Sequence, residues 1–336
     1  MHAREGDLLE TEDKTIFDIK GLTHPPGRII AFPRFVSDTN GDRKRGCVSY
    51  RKVYALQERY LVARDRFPQF LVQDPVLDEI LCEVPTVAIC NYYNPVDGLN
   101  GLRRSSTLDE LEVRALRFTA LLKQDSEVAW NKLGITGSIL AKLHAPNSDI
   151  DAIVYGEENC RRVIETLKSH RTDMKGDVRR YSMEQLRKLY HFRSQDTQMP
   201  FADFAKAEAR KALQGKYLQH DFYVRCIRDW NEIDEEYGDI VYKKTGYARI
   251  KATICDDSES IFTPCRYLVD DAIVLEGTFH GVIKEVVSYR GRFCEQARRQ
   301  ETVFAQGKVE KVKKGDETYF RLLLGSKPSD FMIIGR

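Results

Sequence analysis

The stretch LGITGSILAKLHAPNSDIDAIVYG, residues 133–156, constrains this 336-residue chain more than any other. A short apolar run, 133–136, ends in Gly137-Ser138, a small pair that lets backbone N–H groups approach an anion closely, as glycine-rich turns before helices do. Residues 139–143 read as one or two helical turns, closed by Pro146-Asn147-Ser148. A second apolar run follows, Asp149-Ile150-Asp151-Ala152-Ile153-Val154. Alternate residues of a strand share a face, so Asp149 and Asp151 point one way while Ile150 and Ala152 enter the opposite layer. Two neighbouring carboxylates repel and gain nothing in a core without a counter-charge. A pair of divalent ions supplies one, and hard oxygen donors suit Mg²⁺ or Mn²⁺.

Composition narrows the class. Single domains mostly run to about 100–200 residues, so this length supports two or three cores. Charged residues make up 31% of the chain but the net charge is only +2, which argues against a polyanion-coating protein. No run reaches the roughly 18 apolar residues that span a bilayer. The first residues, MHAREGDLLETEDK, are polar and acidic, unlike a signal peptide, and a cytoplasmic location is expected. Eight cysteines are scattered without a Cys-x-x-Cys pair, so reduced thiols are expected rather than a zinc ribbon or redox motif.

Taken in order, residues 16–53 suggest strands around a Pro-Pro-Gly turn, with DTNGDRKR, 38–45, as a hairpin tip. His24, Arg28, Arg34, Arg43, Lys44, Arg45, Arg51 and Lys52 gather there, either as a clamp on nucleic-acid phosphates or as an ordinary solvated hairpin. Helical spacing covers 54–67. Thr107-Leu108-Asp109-Glu110 fits a capping box, opening a helix over 108–130 that packs Leu111, Ala115, Phe118 and Leu122 on a sheet. After the acidic strand, Asn159 is expected to cap a helix over 160–170, with further helices over 183–192 and 201–217. Residues 161–219 hold 14 Lys or Arg against 7 Asp or Glu, a basic middle that either meets a polyanion or lies on solvated helices. Strand character resumes in HDFYVRCI, 220–227. An acidic linker, 229–239, precedes six strands over 247–255, 265–269, 273–276, 281–289, 303–312 and 319–324, which suggest a small barrel or sandwich, with the OB kind among the candidates. Arg290, Arg292, Phe293, Arg298 and Arg299 offer either a single-strand clamp or a plug for the barrel mouth.

The order apolar strand, Gly137-Ser138, ten intervening residues, Asp149-Ile150-Asp151 resembles the nucleotidyltransferase superfamily of DNA polymerase β, the tRNA CCA-adding enzymes and the aminoglycoside nucleotidyltransferases. It is also similar to uncharacterised nucleotidyltransferases of archaeal type. The resemblance covers this stretch and some seventy residues after it. It implies an α+β fold: a polymerase-β-like mixed sheet with flanking helices, here over 107–228. The expected neighbours are an N-terminal α+β extension, 1–106, and a C-terminal β-rich domain, 240–336. It implies Mg²⁺ or Mn²⁺ on Asp149 and Asp151, with a third carboxylate on a neighbouring strand that also accepts the proton of the attacking hydroxyl. Asp221 is assigned that role, with Asp256 as the alternative. Gly137, Ser138, Lys142 and Arg225 would hold the phosphates of a nucleoside triphosphate. The expected activity moves a nucleoside monophosphate to a hydroxyl, with an RNA or tRNA end as acceptor. The competing readings are a non-catalytic nucleic-acid-binding protein on the same scaffold and a toxin modifying RNA or protein.

Overall fold

The structure is a computed structural model that describes residues 2–172, 176–277, 279 and 281–335. The fold is α+β, with three sheets and seven helices among the described residues. The chain divides into two compact units. Met1–Gln73, Ile80–Arg180 and Leu213–Asp234 form the first; Asp74–Glu79, Tyr181–Ala212 and Glu235–Arg336 form the second. Most of the residues expected as an N-terminal extension therefore share a unit with the acidic strand.

The first unit contains a five-stranded sheet in the order Val178–Arg179, Gln214–Tyr217, His220–Ile227, Ile150–Tyr155, Leu133–Ile135. Ile150–Tyr155 runs antiparallel to Leu133–Ile135 and parallel to His220–Ile227. One face of these strands is apolar, with Ile150, Ala152, Val154, Phe222, Val224 and Cys226 all buried. Helices Glu110–Ser126 and Glu157–His170 pack against the acidic strand. Leu111, Ala115, Phe118 and Leu122 are buried as the spacing requires, and the Phe118 ring lies 4.8 Å from Phe222. Burying side chains of this size contributes about 1.5–3 kcal/mol each, which fixes the register of a strand whose other face carries Asp151 followed by the buried Ile153 and Tyr155.

Three local expectations need correction. The capping box is Asp109 with Glu112, not Thr107 with Glu110: Asp109 accepts from the Glu112 N–H at 2.9 Å and Glu112 from the Asp109 N–H at 3.1 Å. Gly156, not Asn159, precedes helix Glu157–His170, and the Asn159 amide instead donates to the Tyr155 carbonyl. The helix expected to reach 217 stops at Glu208, because Gln214–Tyr217 pairs with His220–Ile227 instead.

A second sheet of this unit runs Arg43–Arg45, Val48–Lys52, Arg28–Ser37, Ile16–Ile19, Leu8–Thr11, Ile89–Tyr93, with Glu79–Pro85 on Arg28–Ser37 and Leu71–Asp74 on Glu79–Pro85. Leu8, Ile16, Phe35 and Tyr50 from it share an apolar cluster with Leu140, Ala141 and Leu143. That cluster joins this sheet to the segment after the Gly-Ser turn.

In the second unit, strands Ile240–Asp256, Cys265–Gly277, Ile283–Ser288, Glu317–Leu324 and Thr302–Lys314 pair in that order. Thr302–Lys314 then pairs back onto Ile240–Asp256, closing a five-stranded ring. The strands expected over 265–269 and 273–276 are one, and Phe331–Ile334, unforeseen in the sequence, adds to Thr302–Lys314. Phe293 is 1% exposed, and Arg290 and Arg292 both pair with Asp196, so these three are packed rather than free to clamp, while Arg298 and Arg299 are exposed. No helix among the described residues is long and apolar enough to cross a membrane.

The basic middle is divided between the units and largely paired with its own acids, as in Arg161 with Glu157, Lys168 with Glu165 and Lys211 with Glu208. Lys175 and Asp173 lie outside the described residues. His24 is likewise structural: its Nδ1 accepts from the Ile30 N–H at 3.3 Å and its Nε2 donates to the Ala3 carbonyl at 2.9 Å. Burial pushes its pKa down to about 4. The folded state then binds fewer protons than the unfolded chain, so stability is present above about pH 6.5 and is lost as pH falls towards 4. We expect the urea midpoint of the protein to fall over that window, and His24→Gln to flatten the fall by an amount on the order of 2 kcal/mol.

Candidate active site

The turn after strand Leu133–Ile135 is built on Gly137, whose φ of +66° is a backbone conformation that side chains oppose. A Cβ at this position would also run into the Asp151 carboxylate. Only glycine lets the turn lie directly against the acid. The Thr136 N–H donates to the Asp151 carbonyl at 2.9 Å, extending the ladder to the turn. Helix Gly137–Leu140 is a single turn, and Ser138 within it is buried.

Pairing Ile150 with Phe222 and Asp151 with Tyr223 sets Asp221 beside Asp149, one residue before the pairing begins. In parallel strands, paired residues share a face, so Asp149, Asp151 and Asp221 stand on one side of the sheet. Asp149 is solvent-exposed and Asp151 half-buried. The surrounding protein pushes the Asp149 carboxyl up to about 6, first by desolvation and then through the charges of Asp151 and Asp221, against Lys52 and Lys216. Desolvation also raises Asp151, despite Lys52, Arg225 and Arg34. Asp221 is paired with Lys216, while Asp149 and Asp151 have cations acting on them but no ion pair among the described residues.

The side chains that hold this place are as informative as the acids. Arg43 donates to the Leu143 carbonyl at 3.3 Å and to Ser148 Oγ at 3.1 Å, and Arg45 donates to the Ala141 carbonyl at 3.3 Å and pairs with Glu10 at 2.6 Å. Two basic residues of the hairpin thus fix the loop between the Gly-Ser turn and Asp149. Glu5, 0% exposed, accepts from Lys20 at 2.9 Å and from Arg225. Asp18 pairs with Lys20 at 2.9 Å and Arg59 at 3.2 Å; burial alone would raise its pKa, but Lys20, Arg59, Arg225 and Arg34 hold it well below the usual carboxylate range.

The site residues expected from the sequence are placed as follows. Gly137, Asp149, Asp151 and Asp221 share the site sheet or its adjoining turn. Asp221 forms an ion pair with Lys216 at 2.7 Å. Arg225 follows on the same face, but its guanidinium is tied to Glu5, so any phosphate would compete with a buried carboxylate. Lys142 is not one turn along a helix from Ser138: the helix ends at Leu140, and Lys142 is exposed with φ +53°. Asp256 belongs to the second unit, where its carboxylate accepts from the Ser258 N–H at 2.8 Å. What sequence reasoning left unassigned is the part of the hairpin that acts on the acids, Arg34 and Lys52. Their signal was present in the basic cluster but indistinguishable from its structural members.

Among the described residues, the three side chains whose ligand atoms all lie within 4.8 Å of one another are Asp109, Glu112 and His144. Their arrangement is accounted for by the capping box and by the 2.6 Å contact of His144 Nε2 with Asp109. The Asp149, Asp151 and Asp221 oxygens are not drawn together in this way. Lys216 pairs with the third.

Compared with known proteins, the chain is 28% identical over 340 residues to the uncharacterized protein MJ1086 of Methanocaldococcus jannaschii, an alignment covering 98% of each chain. No family model matches it, and no solved structure matches it.

Replacing Gly137 with alanine forces a side chain into the left-handed region and against Asp151. We expect Gly137→Ala to lower stability in urea by about 2 kcal/mol, and a second replacement, Asp151→Gly, to recover part of that loss by removing the obstructing carboxylate.

Proposed function

We propose that this protein is a metal-dependent nucleotidyltransferase of the DNA polymerase β type, moving a nucleoside monophosphate from a nucleoside triphosphate to a hydroxyl acceptor, with an RNA or tRNA end as the acceptor. The observation that carries the reading is the shared face of Asp149, Asp151 and Asp221 on parallel strands, with the Gly137 turn packed on Asp151.

The donor set suits a hard divalent cation. It consists only of carboxylates, and the Asp149 pKa is raised by desolvation first and then by the neighbouring Asp151 and Asp221 charges. Asp149, Asp151 and Asp221 would hold Mg²⁺ or Mn²⁺, which when bound shields charge on the attacking and leaving oxygens of an in-line displacement. Asp221 would leave Lys216 for this role and accept the proton of the acceptor hydroxyl. The Gly137 N–H and the Ser138 hydroxyl would position the β- and γ-phosphate oxygens, fixing the line along which the hydroxyl attacks the α-phosphorus and pyrophosphate departs. In the fold, this reading takes the mixed sheet with its two packed helices as a polymerase-β-like core, and the closed five-stranded ring as an OB-like barrel able to contact nucleic acid. The Lys216–Asp221 ion pair favours a second reading, a nucleic-acid-binding protein that keeps the scaffold without catalysis.

The test is incubation of the purified protein with each α-³²P-labelled nucleoside triphosphate, Mg²⁺ or Mn²⁺ and total cellular RNA. We expect label in a discrete RNA band, reduced at least about a thousandfold in Asp149→Ala/Asp151→Ala, since that change removes two ligands of the reacting centre. Label on protein would redirect the acceptor to a protein hydroxyl. No transfer, with RNA binding equal in both proteins and insensitive to chelation, would replace the transferase with the binding protein.

A further inference from the structure

Among the hairpin's basic residues, His24 bonds backbone, Arg43 and Arg45 hold the 141–148 loop, and Arg51 pairs with Glu58 and Asp38. Arg34 and Lys52 differ. Like Arg28 and Lys44, neither has an ion pair among the described residues; what sets them apart is that both act electrostatically on Asp151 and Lys52 acts also on Asp149. Arg34 donates to the Val53 carbonyl at 3.0 Å, and its guanidinium lies 5.0 Å from the Tyr54 ring centre. Lys52 Nζ lies 4.7 Å from the same ring centre and 5.9 Å from that of Phe35, its cross-strand partner. Tyr54 is 44% exposed.

Two cations held beside one open aromatic ring repel each other. Burial first, and then the charge of Arg34, lowers Lys52 to about 8. Neither closes an ion pair among the described residues, and the charges that favour their protonated forms, Asp18 and Asp151 for Arg34 and Asp151 and Asp149 for Lys52, act without such a contact. Ion-pairing to the acids would have been the simplest way to satisfy both walls, and it has not happened. A phosphoryl group fits the two cations, and an aromatic base fits the ring.

We infer that Arg34, Lys52 and Tyr54 form a nucleotide subsite, in which the two cations hold a phosphoryl group and the Tyr54 ring stacks on the attached base. The inference rests on the transferase reading for the role of the neighbouring acids, but binding at the subsite does not require transfer. The same nucleotide chemistry has two sources, the incoming triphosphate and the terminal nucleotide of the acceptor.

The experiment measures affinity of the full chain, in Mg²⁺, for α,β-methylene-ATP, for inorganic tripolyphosphate and for a single-stranded oligoribonucleotide. Lys52→Gln and Arg34→Gln should each weaken binding roughly tenfold or more, the weight of a lost charge-assisted contact. Tyr54→Ala should weaken only probes that carry a base. Loss confined to the ATP analogue and tripolyphosphate assigns the subsite to the triphosphate, and loss confined to RNA assigns it to the acceptor end. Wild-type protein that binds none of the probes, or binding unchanged within about twofold in all three variants, overturns the inference. Should the cation variants fail to fold by circular dichroism, Tyr54→Ala decides, since its side chain is at the surface. Binding lost in the variants of a protein that transfers nothing would retire the transferase and leave the subsite standing. Transfer that proceeds while Lys52→Gln binds normally would do the reverse.

Discussion

The repulsion between Asp149 and Asp151 is the constraint on which the rest of the first unit depends. Their strand is buried on one face by Ile150, Ala152 and Val154, which fixes its register and forces both carboxylates onto the other. Parallel pairing with His220–Ile227 brings a third carboxylate, Asp221, to the same level. Burial first, and then the charges of Asp151 and Asp221, push the Asp149 pKa up to about 6.

The layer beneath shows what relief inside the chain looks like. Glu5 and Asp18 are close to the same sheet, yet each is matched by cations, Glu5 by Lys20 and Arg225 and Asp18 by Lys20 and Arg59. The N-terminal sheet therefore has two tasks. Its deeper residues neutralise charge and, through the cluster of Leu8, Ile16, Phe35 and Tyr50 with Leu140 and Leu143, anchor the segment after the Gly-Ser turn. Its upper residues, Arg34 and Lys52, bring positive charge towards the acids without closing on them. Buried pairs of the first kind set a unique arrangement.

What could be read in the sequence was whatever depends on near neighbours. Alternation placed Asp149 and Asp151 on one face, and the 3.6-residue spacing put Leu111, Ala115, Phe118 and Leu122 in the core. Helix ends were less legible, because Thr107 and Asp109 both satisfy a capping pattern and only the final packing chooses Asp109. Residues 214–217, expected as the end of a helix, pair with His220–Ile227, and Gly215 among them is a poor helix former that already argued for the earlier stop. Ring closure between Ile240–Asp256 and Thr302–Lys314 joins segments too distant for any local pattern to announce. For the site, the same limit explains why the hairpin's basic cluster could not be sorted. Arg43, which holds a loop about a hundred positions away in the chain, looks no different in sequence from Lys52, which faces the acids.

The most direct test of the central claim is a Mn²⁺ titration followed by electron paramagnetic resonance, comparing wild-type protein with Asp149→Asn/Asp151→Asn and with Asp109→Asn/His144→Gln. If Asp149 and Asp151 form a cation site, wild-type protein binds Mn²⁺, the first variant loses that binding and the second keeps it. Binding that survives in the first variant, or that disappears only in the second, would contradict the account and move the metal to the capping end of helix Glu110–Ser126.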